Sequence, residues 1–169
     1  MNNKQQVIIM RGASGSGKST IARLLQPHLN AVIVSADDLF TGSDGVYRFD
    51  PYRLSLAHEQ CWERFKHALD DGLCVIVDNT NASVSDALKY INAAQARNIK
   101  TTVIEIKCPV KIALARNIHG VPEGVIQRHN NRLMSDIRGH CHTLLVDGTH
   151  DLTAVIDSLL GSLLSSSPS

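Results

Sequence analysis

The chain has 169 residues, 43% hydrophobic, and a formal net charge of +1. That length suits one domain with a real core. The lack of any apolar run near ~20 residues excludes a helical membrane span. A near-zero charge excludes nucleic-acid binding by bulk electrostatics, while a local basic cleft stays open.

The polar lead from Met1 to Gln6 has no signal-peptide apolar region. Val7-Ile8-Ile9-Met10 reads as a buried strand, and Ser19 to Leu25 as a helix with an apolar stripe. Between them stands Gly12-Ala13-Ser14-Gly15-Ser16-Gly17-Lys18-Ser19, which fits Gly-x-x-x-x-Gly-Lys-Ser/Thr without a mismatch. Glycines let successive backbone N–H groups converge into an anion nest, and the helix start adds its positive dipole end. Lys18 supplies a cation for the β- and γ-phosphates, and the Ser19 hydroxyl can hold Mg²⁺. Gly12 through Thr20 is therefore the expected cradle of a nucleoside triphosphate. The plain alternative, a flexible Gly/Ser turn, does not account for Gly-Lys-Ser at the mouth of a strand–helix unit.

Pro27 to Asn30 closes the first helix, and Ala31 to Val34 reads as a second strand. It runs into Ser35-Ala36-Asp37-Asp38, at the edge of an open α/β sheet where ligands bind. Asp37 is the candidate general base for an attacking hydroxyl, with Asp38 its supporting neighbour. The competing reading is that Ser35 or Asp38 only caps the next helix. Thr41 to Asp50 reads as a loop in which Tyr47, Arg48 and Phe49 could touch an acceptor.

Pro51 to about Asp70 is a predicted helix, ended by Asp71-Gly72. Leu73 to Asp78 is an apolar strand closed by an acid, the form in which an Asp holds or orients Mg²⁺. Asn79-Thr80-Asn81 aims at the same cleft and could contact the acceptor, or else Asn81 or Ser83 caps the helix predicted over Ser83 to Arg97. Thr101 to Cys108 is a fourth strand. Pro109 opens a helix to Arg116, and a turn with Gly120 leads to a helix from Pro122 to about Ile137. Helices over about 110–137 would form a lid, with Arg116, Arg128 and Arg132 brought over the phosphates. Surface charge is the bland reading of Arg128 and Arg132, which share one helix face. Thr143 to Gly148 is a fifth strand, Gly148 to Asp151 a loop at the nucleotide edge, and Leu152 to Leu164 a last helix. The tail at 165–169 reads as disordered. Cys61, Cys74, Cys108 and Cys141 lack C-x-x-C spacing, so a reduced, cytoplasmic protein without a zinc site is expected.

The series Gly-x-x-Gly-Ser-Gly-Lys-Ser, Ser-x-Asp-Asp, Asp-Gly-x-Tyr-x-Phe-x-Pro, Val-Asp-Asn-Thr-Asn and Ala-Arg-Asn-x-His-Gly-Val-Pro spans about residues 5 to 150. It resembles the polynucleotide-kinase-like P-loop kinases, an AAA-type ATP-binding family that includes the kinase module of phage and animal polynucleotide kinases. The resemblance implies ATP as donor, Mg²⁺ as cofactor and a hydroxyl acceptor. It implies Lys18 and Ser19 at the phosphates, Asp37 as base, Asp78 as a site organiser and Arg116 as a lid arginine. Phe40 stands where the phage enzymes carry an arginine for the acceptor phosphate, which leaves the acceptor open between a polynucleotide 5′-hydroxyl and a small metabolite.

The expected fold is a single α/β domain over 1–164, a three-layer sandwich around a five-stranded parallel sheet. It is a P-loop NTP hydrolase fold of the nucleoside/nucleotide-kinase type with a helical lid. The favoured function is ATP- and Mg²⁺-dependent transfer of the γ-phosphate to a hydroxyl, without an obligate protein partner. The alternative is a nucleotide-dependent switch that recruits a protein or RNA. Nucleic-acid binding without chemistry is disfavoured by the low charge and 4% aromatic content.

Overall fold

Every residue of strand β1 (Gln6–Arg11) is buried. In this computed structural model, which describes residues 4–165, β1 lies mid-sheet with helices on both faces. It pairs in parallel with β3 (Cys74–Val77) and β4 (Lys100–Lys107), and β2 (Ala31–Val34) and β5 (His142–Asp147) complete the order β2-β3-β1-β4-β5. Side chains alternate across a strand. Val7 and Ile9 therefore join the core under α2 (Leu54–Asp70) and α3 (Val84–Gln95). Ile8 and Met10 join the core under α1 (Lys18–Leu29) and α6 (Ile156–Leu164). A strand covered on both faces reads as an unbroken apolar run, which is why Val7 to Met10 was legible as one. The result is the expected three-layer α/β sandwich with a five-stranded parallel sheet. The remaining helices, α4 (Val110–Ala115) and α5 (Glu123–Arg132), lie between β4 and β5 in the chain. Among the described residues no helix is long and apolar enough to cross a membrane.

The register sets the site. Ile9 stands level with Val77, and Val77 with Val34, so the ends of β1, β2 and β3 open on one edge. The phosphate loop, the Ser35–Asp38 segment and Asp78 leave the sheet there.

Several helix ends differ from the sequence expectation. Helix α1 begins at Lys18 and runs through Pro27, because a proline in the last turn removes only one intrahelical bond. Asn30 then caps it in the left-handed region at φ 47°. The helix expected from Pro51 starts as a tight 3₁₀ turn, Pro51–Arg53, capped by the Asp50 side chain. Helix α5 stops at Arg132 rather than Ile137. The Ser135 hydroxyl donates to Arg132 O at 2.6 Å and Asp136 accepts from Arg138 N at 2.9 Å, local bonds that compete with further helix. Helix α6 starts at Ile156 rather than Leu152, since Asp151 takes the Thr153 N–H at 3.0 Å into a turn. The tail read as disordered lies, beyond Ser165, outside the described residues.

Arg11 was not singled out by its sequence, yet its side chain is fully buried and ion-paired with Glu105. The guanidinium also donates to Asn81 O at 3.2 Å, Ala82 O at 3.0 Å and Ser135 O at 3.1 Å. A buried charge persists only when its donors are met. Here they bind β1 to the loop after β3 and to the segment leaving α5.

Candidate active site

The phosphate loop needs its glycines for two reasons. Gly15 and Gly17 adopt φ 79° and 105°, the left-handed region that disfavours side chains. Space is also lacking: a Cβ on Gly15 would stand 2.0 Å from Ala113 O, and one on Gly17 would stand 2.3 Å from Leu152 Cδ1. Helix α4 and Leu152, just past the loop after β5, thus lie against the phosphate loop. Gly15→Ala is expected to lower the unfolding free energy by about 1–3 kcal/mol and weaken nucleotide binding, since strain and clash act together. Thermal unfolding with and without MgATP checks it.

Lys18 sits at the first position of α1, and its ammonium donates to Ala13 O at 2.8 Å. Burial pushes its pKa down to about 8, against the opposing pull of the Asp78 and Asp37 carboxylates. Ser14 is half-buried, Ser16 buried, and Thr20 exposed on α1. Asp78 follows β3, anchored by its N–H to Val34 O at 2.9 Å. Burial raises the pKa of its carboxyl group, while the neighbouring Ser19 hydroxyl and Lys18 ammonium oppose the rise. Its Oδ1 is buried without a partner.

The twin aspartates diverge. Asp37 lies on a 3₁₀ turn, Ala36–Phe40, whose start Ser35 caps by accepting from Asp37 N at 3.2 Å. Ser35 supplies that cap, and the Asp37 carboxylate takes no part in it. The Asp37 side chain is exposed, and its Oδ1 accepts from the Tyr47 hydroxyl at 3.2 Å. Asp38 points to α2 and pairs with Arg64. A bridge between Thr41 and Tyr47 folds the intervening loop back, with Gly45 at φ 74° in its bend. Tyr47 thereby reaches Asp37, and its ring meets His119 at 4.0 Å between centroids.

Asn79 and Asn81 do not face the cleft. Asn79 is buried, accepting from Ala36 N at 2.9 Å and donating toward Tyr90 Oη at 3.4 Å. Asn81 takes φ 44° and donates to Met10 O at 2.8 Å. Their amides satisfy backbone around the site, as buried polar groups must. They hold the ends of β1 and β2 in place.

Helices α4 and α5 cover the loop through Ala113 and Ile126, which pack with Ala13. Arg116 donates to Gly148 O at 2.6 Å, tying α4 to the loop after β5. Arg128 and Arg132 stand exposed on α5. The residue that α5 turns inward is His129, half-buried, with Nδ1 shielded and unpartnered. The signal for it was available in the stripe Val125, Ile126, His129 and Leu133 at helical spacing. Tyr47 carried no such signal beyond its place in an exposed loop.

Among the described residues, five buried side-chain N or O atoms lack a hydrogen-bond partner, and Ser16 Oγ, Asp78 Oδ1 and His129 Nδ1 are three of them. Unmet buried polar groups call for a partner. The donor set fits a polyphosphate over Lys18 and the loop amides, and the Ser19–Asp78 pair fits a hard divalent cation with oxygen ligands.

A family model described as an AAA domain matches residues 7–128. NEDD4-binding protein 2 of Homo sapiens is 36% identical over 138 residues, covering 76% of this chain and 8% of that protein, so the chain spans a small part of that relative's length. A gluconokinase from Sinorhizobium meliloti 1021 superposes with a TM-score of 0.68 at 20% identity, over 96% of this chain and 93% of that one. A chain of the Pnkp1/Rnl/Hen1 RNA repair complex superposes with a TM-score of 0.65 at 22% identity, over 79% of this chain and 45% of that one. These two likenesses show that the chain shares its fold with both proteins.

Proposed function

Since the chain belongs to the AAA-domain family, we propose that it is a kinase moving the γ-phosphate of ATP to a hydroxyl acceptor. The observation that carries this reading is convergence on one ammonium. Asp78 from the end of β3 and Asp37 from the end of β2 are the two carboxylates acting on buried Lys18. A cation at the phosphates, an acid for Mg²⁺ and an acid facing the acceptor side are the parts that phosphoryl transfer needs.

In this mechanism Asp37 accepts the proton of the acceptor hydroxyl. The freed oxygen attacks the γ-phosphorus as the bond to the β–γ bridging oxygen breaks, leaving the nucleoside diphosphate. Lys18 and the amides of Gly15, Gly17 and Ser19 neutralise charge on the transferred group, while the Gly12 and Ser16 amides hold the loop through Thr80 O and Ala13 O. Ser19 and Asp78 would hold Mg²⁺, which supplies further charge neutralisation there. Helices α4 and α5 act as the lid that excludes water, with Arg116 fixing the loop after β5 beneath them. Arg128 and Arg132 reach the phosphates only if α5 rotates or a ligand draws their long side chains inward. The acceptor is a polynucleotide 5′-hydroxyl or a small metabolite; the likeness to a chain of an RNA repair complex supports the first and that to a gluconokinase the second. The four cysteines are free and buried, which fits the reduced cytoplasm.

The test is transfer of labelled γ-phosphate to 5′-hydroxyl DNA and RNA, nucleosides and polyol metabolites. A labelled product supports the kinase. MgATP binding with no labelled product from any of them supports the second reading, a nucleotide-dependent switch.

The Tyr47 hydroxyl on Asp37 is the observation favouring that switch, because it caps the base. Tyr47→Phe keeps the ring on His119 and removes the cap. Acceptor-independent ATP hydrolysis is expected to rise about tenfold, the equivalent of one hydrogen bond to a charged group. Unchanged hydrolysis would show that the cap does not govern Asp37.

A further inference from the structure

We propose that His129 is a further ligand-binding residue of this site, its Nδ1 donating a hydrogen bond to a non-bridging oxygen of bound nucleotide polyphosphate. This rests on the reading of the phosphate loop as a triphosphate cradle. Three observations on the fold carry it. His129 lies one turn after Ile126, the residue by which α5 packs with Ala13 of the phosphate loop. Its Nδ1 is shielded from solvent and has no protein partner. Among charged groups, Lys18 acts on it most strongly, ahead of Arg132 and Arg128 of its own helix. Coulombic effects fall with distance. Lys18, at the start of α1, thus acts on the imidazole across the packing of α5 on the phosphate loop.

The surroundings explain why the ring waits without a partner. Burial disfavours its charged form, and Lys18 from α1 and Arg128 and Arg132 from α5 reinforce that, with Asp86 of α3 the one opposing charge. The ring is therefore held neutral in the ligand-free protein at neutral pH. Polyphosphate reverses the local sign of charge, because its negative oxygens cancel the three cations and accept from both nitrogens of an imidazolium more readily than from the neutral ring. Nucleotide binding is then coupled to proton uptake at His129. A histidine so placed serves the lid as well, since the bond forms only when α5 lies over the loop.

The experiment is calorimetric titration with MgATP at pH 6.5–7, in buffers of different ionisation enthalpy, on the full chain. Lys18 is already protonated there, so its own titration near pH 8 does not enter. Proton release by ATP is common to all variants and cancels in the comparison. His129→Asn places an amide nitrogen where Nδ1 stands and cannot titrate; His129→Leu removes the donor. Wild type is expected to take up a larger fraction of a proton per ATP than either variant. Affinity should be retained within about threefold in His129→Asn and fall about tenfold in His129→Leu, as loss of one charged hydrogen bond predicts. Thermal unfolding of the variants reports whether each is folded, and either folded variant alone decides the proton count. Equal proton uptake in wild type and a folded variant overturns the assignment while leaving the triphosphate cradle intact. Failure of wild type to bind MgATP overturns both.

Discussion

Asp37→Asn is expected to abolish phosphotransfer, by about 10²- to 10⁴-fold, while leaving MgATP affinity nearly unchanged. The substitution keeps size and the ability to accept from Tyr47 Oη, now 3.2 Å from Asp37 Oδ1, and it removes the proton acceptor alone. Asp37 contributes nothing to the fold that the amide cannot replace. Its N–H goes to the Ser35 hydroxyl, and the ion pair of this turn belongs to Asp38 with Arg64. Labelled-phosphate transfer and calorimetry on the same preparation separate the two effects. A variant that transfers phosphate at the wild-type rate would remove Asp37 from the chemistry.

Lys18→Met should give opposite effects with and without nucleotide. In the ligand-free protein the ammonium is buried and its pKa is pushed down from 10.5 to about 8. Folded and unfolded chains both hold the proton below about pH 8, so the cost of burying the charge is fully present there. Between about 8 and 10.5 the unfolded chain binds more protons, and this group's contribution to stability rises with pH. The methionine variant carries no such cost. It should be more stable than wild type at pH 7 by about 1–3 kcal/mol, with the gap closing toward pH 10. With MgATP the order reverses, because affinity should fall about 10- to 100-fold on losing a charged hydrogen-bond donor. Denaturant unfolding at pH 7 and pH 10, with and without MgATP, reads both. A gap that stays constant with pH would mean that Lys18 is not held in a poorly solvated site. Stability sacrificed at a binding residue is a common pattern in functional sites.

The legible part of this fold was set by short-range requirements. Gly15 and Gly17 are needed for backbone shape at their own positions, so the phosphate loop could be read directly. Strands β1 and β3 are buried on both faces, so their apolar runs and the acid ending β3 stood out. What escaped depends on partners far along the chain. The Ser135 carbonyl accepts from Arg11, a residue 124 positions away, so nothing near α5 announces what becomes of the chain after Arg132. Asn79 and Asn81 look like cleft residues from their place after β3. Their amides are taken by Ala36, Tyr90 and Met10, contacts that only the assembled sheet creates. On α5 the arginines drew the eye, but helical phase decides which residue meets the phosphate loop. Ile126 fixes that phase, and it carries His129 with it.

The central position of β1 has a consequence for biosynthesis. Its neighbours in the sheet are β3, which begins at Cys74, and β4, which begins at Lys100. During translation at about 5–20 residues per second, roughly 5–20 seconds pass before both flanking segments have been made. Through that interval Val7-Ile8-Ile9-Met10 is an unpaired, sticky tetrapeptide on a nascent chain. Truncated translation products ending before β4 should accordingly be captured by chaperones or precipitate more than products that carry β3 and β4.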